Sequence, residues 1–61
     1  MTREQIELLD GIIISEEQVE LIELNPEVTT FECLGASGYV SGCNWYSVEF
    51  EDGESIDVYM R

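Results

Sequence analysis

Carboxylates dominate the reactive side chains of this 61-residue sequence: fourteen residues are Asp or Glu, two are Lys or Arg, and none is His. Carboxylates in such number can do three kinds of chemistry. A pair flanking a glycosidic bond can act as acid and nucleophile or base. Several converging oxygens can hold a calcium or magnesium ion. A surface array can bind cationic groups on another macromolecule. The first use needs a deep cleft, and a chain this short has little volume in which to build one. The second needs spaced ligands, yet Asp52-Gly53-Glu54 reads as a turn without the periodic oxygens of an EF-hand loop. There is no His, no Lys, no cation outside the termini and no glycine-rich phosphate loop. The expected activity is therefore binding: no enzyme, no cofactor and no metal.

The two cysteines, Cys33 and Cys43, do not change that expectation. Without His they fall short of a zinc ligand set. No cation lies near them in sequence to lower a thiol pKa, and neighbouring carboxylates act in the opposite sense. No basic segment followed by a long apolar stretch marks a leader, so the expected compartment is the reducing cytoplasm, with both thiols free. The longest apolar run, Ile12-Ile13-Ile14, is far too short to span a bilayer.

The placement of charge is as unusual as its amount. The formal net charge is −12, and the only cations are Arg3 and Arg61. From Glu4 to Met60 no basic side chain is available, so the carboxylates are expected to go largely unneutralised and to repel one another. Crowding of like charges is expected to raise carboxylate pKa values. Direct binding to nucleic acid or to an anionic membrane is disfavoured by the same field. The partner this charge fits is a basic protein or nucleic-acid-binding complex.

Elements that could position these groups are legible because the chain is 44% apolar, enough for a folded domain rather than an acidic tail. Residues 1–61 read as one domain. Thr2-Arg3-Glu4-Gln5 and Ser15-Glu16-Glu17-Gln18 share one local grammar: a hydroxyl cap, then Gln three residues on, which is a capping box. Met1 with Ile6 and Ile14 with Val19 supply hydrophobic staples. Gly11 and Asn25-Pro26 are stop signals. The pattern predicts helices at about 3–10 and 16–24. A strand over 18–24 is the competing reading, but Ile22 and Leu24 break its alternation.

From Val28 onward the period becomes two, and β-branched and aromatic residues rise. Strands are predicted over 28–34, 39–50 and 54–60, the second bent or bulged at Gly42. A two-residue turn at Asp52-Gly53 would put the apolar sets of the last two strands on opposite faces. A three-residue Glu51-Asp52-Gly53 turn pairs Val48 with Ile56 and Tyr46 with Val58, with Gly53 left-handed in a G1 bulge. A one-residue slip flips every side chain, so the apolar pattern selects the second register.

That register leaves Trp45, Ser47 and Glu49 on the other face, opposite Ser55, Asp57 and Tyr59, with Glu32 joining from the first strand. Glu51, Asp52 and Glu54 decorate the turn. The predicted fold is α+β, with two short N-terminal helices packed on one face of a three-stranded antiparallel meander. A small SH3- or Tudor-like barrel is the alternative, because the stretch from Trp45 to Gly53 resembles a strand-turn segment of such barrels. Glu32, Trp45, Glu49, Glu51, Asp52, Glu54, Asp57 and Tyr59 are the candidate partner-binding residues. Carboxylates on two adjacent strands are expected to approach the charge spacing of a nucleic acid strand, about 3.4 Å.

Small size, scarcity of lysine and this carboxylate distribution resemble those of phage-encoded inhibitors that mimic DNA, of the anti-restriction and anti-CRISPR kinds. The resemblance is to a class and carries no residue assignments. It implies an inhibitor that blocks a basic nucleic-acid-binding surface of a host defence or nucleic-acid-processing protein. The alternative is an immunity-type or subunit-type interaction module for another basic partner.

Overall fold

A computed structural model describes residues 1–61. Two short helices, α1 (Arg3–Glu7) and α2 (Glu16–Glu23), precede three strands: β1 (Val28–Ala36), β2 (Asn44–Phe50) and β3 (Ser55–Met60). The strands form one antiparallel sheet in the order β1-β2-β3. This is the α+β meander expected from the sequence rather than a closed barrel. No helix is long and apolar enough to cross a membrane.

Both helices start as their sequences require. Thr2 Oγ1 accepts from the Gln5 amide (3.2 Å) while Gln5 Oε1 accepts from the Thr2 amide (2.9 Å). Ser15 and Gln18 repeat the arrangement at 3.3 and 2.9 Å. Each box satisfies two amides that a helix start would otherwise leave unpaired. The first helix ends at Glu7, earlier than the sequence predicts, because its continuation is drawn to the sheet. Asp10 Oδ1 accepts from the Asp57 amide, and the Gly11 amide donates to the Asp57 carbonyl (2.7 Å). Gly11 turns the chain with φ +79°, a conformation that a side chain would strain.

Beyond that turn the connection runs parallel to β3. The Tyr59 amide donates to the Ile12 carbonyl, and the Ile14 amide donates to the Tyr59 carbonyl. The sequence pattern predicts no regular element for this segment. Three consecutive β-branched residues, Ile12-Ile13-Ile14, were the available signal.

The hairpin between β2 and β3 has the register that the apolar pattern selects. Val48 faces Ile56 and Tyr46 faces Val58. Gly53, at φ +90°, donates to the Phe50 carbonyl, and the Phe50 amide donates to the Glu54 carbonyl. The first connection differs from expectation. β1 extends to Ala36, and β2 begins only at Asn44. Ser37 captures the Tyr39 and Val40 amides on its hydroxyl, and its own amide donates to the Cys43 carbonyl. Side-chain capture of this kind competes with strand pairing. Gly42 therefore serves a turn, at φ +79°, rather than a strand bulge. The irregularities lie instead in β1, between Val28 and Thr30 and between Cys33 and Gly35.

Ile6, Ile14 and Ile22 meet Val48, Phe50, Ile56 and Val58 in one buried cluster. Burial of each such side chain stabilises the fold by about 1.5–3 kcal/mol. Arg3 ties the cluster's rim together. Its guanidinium carbon lies 4.4 Å from the centre of the Phe50 ring. Its nitrogens reach Asp52 (2.7 Å), Glu7 (2.8 Å) and, more distantly, Glu27 (3.9 Å). The expectation that carboxylates go unneutralised is thus corrected for these three residues. Asp52 also departs from the expected upward shift. The Glu54 amide and then Arg3 hold its carboxyl below the usual carboxylate range.

A lowered folded pKa gives stability that is complete above the unfolded value of about 4 and is lost as pH falls through the folded value. D52N is therefore expected to lower the melting midpoint at pH 7, and the gap to the parent should close as the buffer is taken below pH 4. Thermal melts across that range check it. A gap that persists in acid would show that Asp52 acts through shape rather than charge.

Candidate partner-binding surface

Alternation along the strands sorts the candidate residues into two places. Trp45 pairs with Tyr59, Ser47 with Asp57, and Glu49 with Ser55. From β1, Glu32 faces Ser47 and Thr30 faces Glu49. Directly opposed residues share a face, so Glu32, Trp45, Glu49, Asp57 and Tyr59 lie together on the sheet side away from the core. Glu51, Asp52 and Glu54 do not join them. They sit in and beside the hairpin turn, and Asp52 and Glu54 line an open hollow of about 510 Å³ with Arg3, Glu7 and Asp10.

On the open face, Glu32 and Asp57 flank Ser47, so they stand about two strand spacings apart, roughly 10 Å. Glu49 is diagonal to both, at about 7–8 Å. The result is a triangle of carboxylates around Ser47. Each of β2 and β3 contributes one carboxylate to it, because Ser47 and Ser55 occupy the intervening positions. The array is therefore sparser than the phosphate-like spacing expected from the sequence. No three acidic or cysteine side chains converge in a way that could hold a metal ion. Arg3 supplies all the ion pairs, with Glu7, Glu27 and Asp52, and none of these lies on the open face.

The other end of the face is apolar. Trp45 and Tyr59 are half-buried, and the bridge between the connecting segment and β3 sets Ile13 beside Tyr59. The Trp45 indole Nε1 donates to Asp57 Oδ1 at 3.0 Å. That bond joins the two halves of the surface and gives the indole its polar partner. A guanidinium could meet both halves, pairing with a carboxylate through its fork and stacking on an aromatic ring. Ile13 was not among the sequence candidates. Its role depends on the unforeseen pairing with β3.

The acidic field also extends over the helical side. Glu16, Glu20 and Glu23 follow one another at helical spacing on α2 and are exposed. Neighbours at such spacing stand about 5–6 Å apart, closer than the carboxylates of the open face. The charge is thus distributed around the molecule, whereas the combination of charge with aromatic side chains belongs to the open face.

Both thiols are free. Cys43 is buried, and Cys33 is exposed on β1. Cys33 and burial together push the Tyr46 phenol up. Replacing Cys33 with Ala is expected to leave partner binding unchanged, as measured by titration calorimetry. Loss of binding in a variant with an unchanged melt would assign the thiol a role in recognition.

Comparison with protein-family models, with curated proteins and with solved structures finds no match to this chain.

Proposed function

We propose that this domain is a small cytoplasmic inhibitor that occupies a basic nucleic-acid-binding surface of another protein, much as the nucleic acid would. In this reading it catalyses no reaction and needs no cofactor. The supporting observation is that no charged side chain is buried, so the full surplus of carboxylates faces outward with only Arg3 pairing against it. Such a field speeds encounter with a positive surface and repels nucleic acid itself. The open sheet face adds a fixed geometry, with Glu32, Glu49 and Asp57 beside Trp45 and Tyr59 as anchors. Aromatic side chains of this kind often dominate interface energies. Glu51, Asp52 and Glu54 extend the acidic surface around the hairpin.

One observation favours the second reading, a module for a basic partner that binds no nucleic acid. Ile13, Tyr59 and Trp45 form an apolar row that a phosphate mimic does not require. The two readings separate on competition. The immobilised domain is expected to capture nucleic-acid-binding proteins from lysate at low salt, to release them at high salt, and to lose them when duplex DNA is added. Capture that DNA does not reverse would favour the second reading.

The face itself is tested by charge reversal. E49K/D57K should weaken binding to a captured partner strongly, because truncating a desolvated charge contact costs about 2–5 kcal/mol. E16K/E20K on α2 should weaken it only modestly. Circular dichroism first establishes that both variants fold. Equal losses would point to a diffuse field rather than a site.

A further inference from the structure

The sheet has two edges, and they are treated differently. The Phe50 amide donates to the Glu54 carbonyl, so alternate β2 residues from Phe50 direct their backbone groups to β3. Glu49 and Ser47 direct theirs to β1, where they meet Thr30 and Glu32. By the same alternation, Phe31 and Cys33 turn their N–H and C=O groups away from the sheet. On β3 the corresponding outward groups of Asp57 and Tyr59 are taken up by residues 10–14. No backbone bond from elsewhere in the chain reaches Phe31 or Cys33.

A hollow of about 290 Å³ adjoins this free edge, lined by Glu23, Val28, Thr29, Thr30 and Phe31. It offers apolar surface from Val28 and Phe31 and one carboxylate from the end of α2. On the opposite sheet face, Glu32 stands at the same edge. A strand added along β1 would alternate its side chains between these two faces. Each face presents a carboxylate, so the geometry suits Lys or Arg on either side, with the aliphatic stem in the hollow. The irregularities that bracket Thr30–Cys33 keep the straight stretch short. A second copy of the chain would bring −12 against −12, which disfavours pairing between copies.

From this the geometry points to the β1 edge as a docking site for a short, extended, Lys- or Arg-bearing segment of the partner, held by the backbone groups of Phe31 and Cys33. Main-chain bonds would supply affinity and the Glu23 hollow selectivity, as in other strand-addition complexes. The inference rests on the reading that the partner is basic.

The test uses a capped heptapeptide, Thr-Lys-Val-Lys-Val-Lys-Thr, and the same peptide with its backbone N-methylated at alternate residues. Amide hydrogen exchange is followed by NMR on the intact domain at physiological ionic strength. The unmodified peptide should slow exchange at Phe31 and Cys33 about tenfold, with little effect from the methylated one. E23Q should weaken the unmodified peptide several-fold. Equal binding of both peptides would overturn the edge proposal while leaving the basic-partner reading intact. Absence of protection at these amides with either peptide would also overturn it; capture from lysate judges the wider reading separately. Protection of the same amides by concentration-dependent dimerisation alone would make a second copy the occupant and overturn the proposal.

Discussion

Like-charge repulsion around a small core is the constraint on which the structure depends. Seven buried apolar side chains must hold together a chain with a net charge of −12. Arg3 answers that constraint at its most vulnerable place. The first helix is only five residues long and could not persist alone. Arg3 anchors it to the β2–β3 hairpin through Asp52 and Phe50, and to the start of β1 through Glu27. The same contacts help set the Asp52 carboxyl below its usual range. A single cation thereby joins three parts of the chain that carry like charge.

The remaining carboxylates have no ion-pair partner. Their distribution follows from how the fold uses its surfaces. The helices cover one sheet face, and the connection between them closes the β3 edge. What stays uncovered is the outer sheet face and the edge of β1. In the proposed function, recognition combines a long-range field, set by composition, with local geometry set by strand alternation.

Much of this arrangement was legible in the sequence because short-range rules decide it. The two capping boxes fix both helix starts, and the Glu51-Asp52-Gly53 turn fixes the hairpin register. With the register known, the grouping of Trp45, Glu49, Asp57 and Tyr59 follows without further information. Long-range effects were less visible. Nothing local shows that Arg3 reaches Asp52, or that Asp10 and Gly11 leave the helix to bond Asp57. Residues 39–43 carry strand-like types, yet Ser37 claims two of their amides. The place of Ile13 on the open face depends on a bridge to a residue 46 positions away.

Trp45 is the sole tryptophan and lies within the open face, which makes it a direct reporter of occupancy. The most direct measurement is fluorine NMR of the domain carrying fluorotryptophan, titrated with a captured partner and then with duplex DNA. The single Trp45 resonance should shift or broaden as the partner binds and return to its free position as DNA displaces the domain. Binding that leaves this resonance unchanged, or that DNA cannot reverse, would contradict the account.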